Sequence, residues 1–169
     1  MTQGGLKAVL LLNTEPALDM AGGERAALAL SQADMVVSLS PFKANADIAD
    51  VLLPIAPFTE TAGTFVNTEG RAQSFYGVVR PLGETRPGWK VLRVLGSLLG
   101  LPGFEQETIE DVRKAALPNP VSDRLSNATT ASIDIAAVEH QPCVAAIYQL
   151  DGIVRRAPSL QLTADARGA

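Results

Sequence analysis

The residues of this chain that could do chemistry are few and scattered. His140 and Cys143 stand three apart, a spacing that occurs at metal sites, yet the 169 residues hold one His and one Cys, so a closed site lacks ligands. Asp47 and Asp50 could share one helix face, but Asp50 directly before an apolar run reads more naturally as a cap or turn residue. Glu60 and Glu69 are the pair to test for acid–base work. Their spacing does not make them converge, and Glu69 on a turn reads as solvated or paired with Arg71. Neither Ser38 nor Ser40 sits in a GxSxG elbow, so hydrolase chemistry has no support. Gly22-Gly23 near a helix start fits neither GxGxxG nor GxxxxGK[ST], which leaves only anion binding at a helix terminus. Arg155-Arg156 is too short a basic run for nucleic acid or lipid; it reads as solvated, or as a contact for an acidic partner surface. No catalytic, metal-binding or cofactor-binding residue is expected within the chain itself.

What the polar residues do build is a structural motif: Glu60, Gly63, Thr64, Asn67, Glu69, Gly70 and Arg71, all inside the stretch from Asp50 to Gln73. Thr64 to Asn67 and Arg71 to Phe75 alternate in facing, and they meet at Thr68-Glu69-Gly70, the pattern of a β-hairpin with Gly70 left-handed. Gly63 is expected to take positive φ at the entry corner. Arg71 is assigned to fix the turn through its planar fork.

The elements that must carry this hairpin read as a layered α/β unit. Leu6 to Leu12, broken only by Lys7, has the signature of an interior strand covered on both faces, closed by Asn13-Thr14-Glu15-Pro16. Gly22 to Ala33 reads as a helix with a small-residue face (Ala26, Ala27, Leu30, Ala33), and Met35 to Leu39 as a second strand. Asn45 to Asp50 has room for about two helical turns before a third buried-type strand, Val51 to Ile55. Helical crossovers make the three strands parallel and place ligands beyond their carboxyl ends, at Asn13 to Pro16, Ser40 to Lys43 and Ala56 to Gly63. Pro87 to Leu99 is the strongest helix, with Trp89, Leu92 and Leu95 on one flank and Val91, Val94 and Leu98 on the other, ended by Gly100 and Pro102. Thr108, with Asp111 at capping-box distance, starts another helix that Pro118 stops, its inward residues Ile109, Val112 and Ala116. The organisation is then 1–80, an α/β three-strand unit with hairpin; 81–117, helical; 118–142, a variable linker; 143–169, a carboxyl-terminal extension leading toward a missing domain. Val144 to Leu150 alternates weakly as a strand, and the tail from Asp151 is expected to order only where something packs on it.

Composition narrows the classes further. A hydrophobic content of 47% with 19% charged residues is globular, and a net charge of −4 with 5% aromatics argues against a nucleic-acid partner. One Cys excludes an internal disulfide and any Cys-built cluster within one copy, and makes a reducing compartment the default. Neither a signal peptide nor a membrane span is read, since Val91 to Leu101 is interrupted by Arg93 and two glycines. Met1 to Gly5 reads as a start appended ahead of a strand, as in an excised fragment.

The wording ADVLLP, ETAGTFVNTEGRAQ and PLGETRPGWKVLRVLG resembles the molybdopterin-oxidoreductase superfamily, and within it the large iron–sulfur subunit of bacterial NADH:quinone oxidoreductase, respiratory complex I. The likeness extends to LLLNTEP at Leu10, VSLSPF at Val37 and IVRRAPSLQ at Ile153; only Leu117 to Cys143 carries little of it. Glu60-Thr61-Ala62-Gly63 stands where molybdenum enzymes of the superfamily more often show a Lys-Asp pair before the glycine. The resemblance implies a fragment of a doubly wound, mostly parallel sheet of the formate dehydrogenase/DMSO reductase-like kind, plus a hairpin and carboxyl-terminal helices. It implies a scaffold in a peripheral arm on the cytoplasmic side of the inner membrane, without direct membrane insertion. Iron–sulfur clusters belong to a missing amino-terminal region, a barrel to a missing carboxyl-terminal one, and no molybdopterin is expected in the chain. Implied partners are those missing regions and other subunits of the respiratory complex. Two alternatives stay open: a cofactor-lining domain of a molybdopterin-dependent oxidoreductase such as formate dehydrogenase, and a stand-alone interaction domain.

Overall fold

The computed structural model describes residues 7–20, 22–119, 130 and 147–167. Strand β1 (Ala8–Leu12) pairs in parallel with β2 (Met35–Ser40), and β2 in parallel with β3 (Val51–Pro54), in the order β1-β2-β3. The register Leu11↔Ser38 and Ser38↔Leu52 runs straight across the sheet. Asp50 fastens the start of this pairing: its carboxylate accepts the Val36 amide at 2.7 Å and its own amide donates to the Val36 carbonyl at 2.9 Å.

Between β1 and β2 lie two helices, α1 (Pro16–Asp19) and α2 (Gly23–Leu30), in place of the one helix from Gly22 to Ala33 that the pattern predicts. Pro16 supplies a preset φ for the first turn of α1. Gly22 turns the chain through φ 65°, and Gly23 is glycine because a Cβ there would run into the Ala17 carbonyl. That close approach lets Leu30 reach Leu11 and Val36, the buried cluster on which Val9, Ala33, Ile48 and Ala49 also pack. Burying a side chain the size of Leu30 stabilises by about 1.5–3 kcal/mol.

Two sequence expectations fail in the sheet. β1 is an edge strand, not an interior one, with Leu10 44% and Leu12 42% exposed, and β3 is the opposite edge with Val51 and Leu52 exposed. The apolar runs are there; the layers that would cover both faces are not among the described residues. The β2–β3 crossover holds no helix either: Ile48 and Ala49 both donate to the Asn45 carbonyl, a single turn that Asn45 enters at φ 62°. Six residues leave no room for more while Ala44 is tucked into the core.

Beyond β3 the chain makes a 3₁₀ turn (Phe58–Glu60) and the antiparallel hairpin β4 (Gly63–Val66) and β5 (Ala72–Phe75). Ile55 bridges to Arg86, and the Ala56 amide donates to the Arg86 carbonyl, which brings α3 (Gly88–Leu98) against the sheet at Ile55 and Leu12. α3 ends in a Schellman motif: Gly100 at φ 67° donates to Ser97, and Leu101 to Gly96. Of its two apolar flanks, Trp89, Leu92 and Leu95 are half-buried, whereas Val94 and Leu98 face solvent. Thr108 and Asp111 form the full capping box of α4 (Ile109–Ala116), with Ile109 and Val112 half-buried and Ala116 exposed, so the inward face is shorter than expected.

Most of the linker expectation falls outside the described residues, as do 144–146 of the weak strand. Ile147–Gln149 form a 3₁₀ turn, not a strand, because Gln149 and Tyr148 spend their carbonyls on side chains of their own segment. A further 3₁₀ turn (Val154–Arg156), α5 (Pro158–Gln161) and α6 (Ala164–Arg167) complete the order.

Candidate functional site

Parallel strands leave their ligand crevice at their carboxyl ends, and a cleft of about 840 Å³ lies there. Leu12 and Asn13 enter it from β1, Ser40 to Phe42 from β2 and Ile55 to Phe58 from the exit of β3. Gly63 to Phe65 and Phe75 come from the hairpin, Trp89 and Leu92 from α3, and Leu150 to Ile153 with Arg155 from the carboxyl-terminal segment. Four of the five phenylalanines and the single tryptophan line this one surface.

The loops that shape it are held by polar residues in left-handed conformations. Asn13 (φ 51°) donates its amide to the Leu39 carbonyl at 2.9 Å. Asn45 donates its side-chain amide to the Thr14 carbonyl at 2.9 Å and to Ser38 Oγ at 3.1 Å. Asn tolerates this region better than other side-chain-bearing residues, which is why it stands there. The buried Ser38 and Ser40 are spent structurally, Ser40 Oγ accepting the Phe42 amide.

At one end of the cleft sits a charged cluster that no sequence pattern announces. Arg155, its side chain only 5% exposed, meets Asp19 at 2.6 Å and Glu15 at 3.1 Å. Its Nε and Nη2 also donate to the Gln149 carbonyl. Arg156 meets Glu15 at 2.7 Å and lies 4.0 Å over the Phe42 ring. Burial alone pushes the Asp19 carboxyl up, but the Arg155 hydrogen bond, the Glu15 amide and the two guanidinium charges outweigh it and hold Asp19 below its ordinary value. Burial likewise works against the Arg155 charge, and Asp19 and Glu15 more than restore it, raising its pKa. Asp151 is held low by the Val154 and Ile153 amides. Both Arg155 and Arg156 are paired within the chain across more than a hundred residues, a relation no local spacing could reveal; Arg155 is buried in that pairing, whereas Arg156 keeps about a third of its side chain in solvent.

The motif residues read from sequence divide between cleft and hairpin tip. Gly63 and Thr64 line the cleft, and Thr64 Oγ1 meets Ser74 Oγ at 3.0 Å. Gly63 is not at positive φ; a Cβ there would stand 2.7 Å from the Phe75 ring, so close packing and not backbone conformation selects glycine. Gly70 is left-handed at φ 77°. The turn is fixed by Asn67, whose Oδ1 accepts the Glu69 and Arg71 amides at 3.0 and 2.9 Å. Arg71 does not fix it: among the described residues its guanidinium reaches only Glu69, at 4.0 Å, with both side chains mostly in solvent. Glu60 accepts the Leu82 amide and ties the corner to the following connection. Asp47 is exposed, and His140 and Cys143 lie outside the described residues. Among the described residues no group of His, Cys, Asp or Glu is arranged to hold a metal.

Among the described residues, the charged groups of the cleft lining are Glu15, Asp19 and Asp151 against Arg155, which is already committed to Asp19 and Glu15. A phosphate-bearing pterin dinucleotide needs cationic or amide donors free to face it. Among the described residues the lining holds no cation beyond the paired Arg155, which leaves hydroxyl and amide groups such as those of Thr61, Thr64 and Gly152 as its donors.

Residues 1–98 match the family described as Molybdopterin oxidoreductase. The chain is 33% identical over 119 residues to a probable oxidoreductase, YjgC, of Bacillus subtilis, covering 70% of this chain and 12% of that protein. It is 31% identical over 107 residues to a nitrate reductase of Shewanella frigidimarina, covering 62% and 11%. A putative formate dehydrogenase of Staphylococcus aureus is 44% identical over 66 residues, covering 39% and 7%. Among solved structures, acetylene hydratase from Pelobacter acetylenicus superposes with a TM-score of 0.52 at 27% identity, over 59% of this chain and 14% of that one. The chain thus spans about an eighth or less of the length of the curated relatives it matches.

Proposed function

The chain belongs to the molybdopterin oxidoreductase family, and on that premise we propose that it is a non-catalytic portion of the large iron–sulfur subunit of a bacterial NADH:quinone oxidoreductase. Its role there is scaffolding in the peripheral arm, on the cytoplasmic side of the inner membrane, against other parts of the same polypeptide and neighbouring subunits. The iron–sulfur clusters reside in the longer protein. The observation that carries this reading is the cleft: three carboxylates line it, and Arg155 is consumed by two acids of α1 and the turn before it. Among the described residues, no helix is long and apolar enough to cross a membrane, in keeping with attachment through partners.

The competing reading is a cofactor-lining domain of a molybdopterin-dependent oxidoreductase of the formate-dehydrogenase type. It is favoured by the 44% identity to a putative formate dehydrogenase. Metal analysis of the full-length gene product, purified with whatever co-purifies, separates the two. The scaffold reading expects iron without stoichiometric molybdenum, and NADH-dependent quinone reduction that disappears when the gene is deleted. Stoichiometric molybdenum with formate-linked turnover overturns it.

A further inference from the structure

We infer that residues 147–167 form a reversible strap over one end of the cleft, buckled by Arg155 onto Glu15 and Asp19, and that unbuckling frees the segment and opens the cleft. Three observations carry this. First, the segment is a unit in itself. Gln161 Nε2 donates to the carbonyls of Tyr148 and Val154 at 3.0 and 2.9 Å, and Gln149 pairs with Gln161 at 2.9 Å. Asp151 accepts the Ile153 and Val154 amides, so the turns survive detachment from the sheet.

Second, the bonds that tie it to the sheet unit are ionic. Ile147 is 75% exposed and Leu162 63%, with Leu150 and Ile153 also largely exposed, so these four do little of the holding, and the apolar share falls to the half-buried Tyr148, Val154 and Ala157. The grip comes from Arg155 on Asp19 and Glu15, with Arg156 on Glu15 and over Phe42. Third, Leu150 to Ile153 and Arg155 are themselves cleft wall, so lifting the strap removes one side of it.

Hydrogen exchange by mass spectrometry tests the inference, with acrylamide quenching of Trp89, the chain's single tryptophan and a cleft residue. In Arg155→Gln, exchange in 147–167 should rise about tenfold or more, because a mostly buried charge pair is broken. Exchange in 35–40 should hold steady and Trp89 quenching should increase. Exchanging the charges in Asp19→Arg/Arg155→Asp should restore protection. If Arg155→Gln does not fold, Asp19→Asn, which leaves every bond within the segment in place, gives the same readout: 147–167 should lose protection while 35–40 keeps it. Equal changes in both segments, or none in 147–167, overturn the strap, since the segment is then either core or not held by this buckle.

Discussion

Gly63 and Asn67 show how one side chain, or the lack of one, decides the hairpin. Across the β4–β5 pair Gly63 faces Phe75, whose ring also stacks on Phe65 with centroids 4.8 Å apart. Gly63→Val should therefore destabilise by about 1–3 kcal/mol through overpacking. Gly63→Val/Phe75→Leu should recover part of that loss in denaturant melts. Gly70→Val should cost on the order of 1 kcal/mol or more for its positive φ, and the Phe75 change should not rescue it. Asn67→Ala removes the acceptor of two amides and should cost about 1–2 kcal/mol, while Arg71→Ala, mostly in solvent, should stay within about 0.5 kcal/mol. The left-handed Gly70 is legible in sequence because a turn between two alternating runs demands it locally. The reason for Gly63 is not, since its partner is on the opposite strand. The planar fork of Arg71 draws the eye in sequence, yet the shorter Asn67 is the side chain that can fold back onto its own backbone.

The helices are the most legible elements, for a related reason: their signals lie within one or two turns. Thr108 and Asp111 announce α4 three residues apart, and both halves of the box are formed. Thr108→Ala should cost about 1 kcal/mol, read as faster amide exchange at 109–112 with little change in α3. Gly96 gives a sharper contrast inside α3. It is buried against the Phe104 ring, and a Cβ there would enter the ring, so the usual gain of Gly→Ala in a helix should reverse sign. A thermal melt of Gly96→Ala beside Phe104→Leu/Gly96→Ala checks this. Strand direction and pairing are legible too, but a strand's place in the sheet is not. Leu10 and Leu12 carry the composition of a covered strand while standing on an edge; composition records a preference for burial, not the neighbour that would supply it.

For the molecule as a whole, the exposed row of Leu10, Leu12 and Val51 beside the aromatic cleft predicts self-association or strong binding of a hydrophobic dye by the isolated chain. A monodisperse, dye-silent monomer would contradict the view that further layers belong on this sheet. The Asp19–Arg155 contact predicts a pH dependence with a definite sign. Folding lowers the Asp19 pKa, so its contribution is full above the ordinary 3.8 and is lost as pH falls through the lower folded value. The stability gap between wild type and Asp19→Asn should be widest at neutral pH and close in strong acid; a gap that widens on acidification refutes the assignment. None of this long-range pairing is legible in the chain's local patterns, because Glu15 and Asp19 meet Arg155 and Arg156 only once the fold brings the segments together. The separation also sets an order of events during synthesis. With Arg155 136 positions after Asp19, a ribosome adding about 5–20 residues per second leaves the acids waiting roughly 7–27 s for their arginine. In the last part of that interval, once Trp89 has been made, the nascent sheet has α1 to α3 but not its closing segment, and the aromatic surface beside α1 stays open to whatever chaperone or neighbouring nascent chain reaches it first.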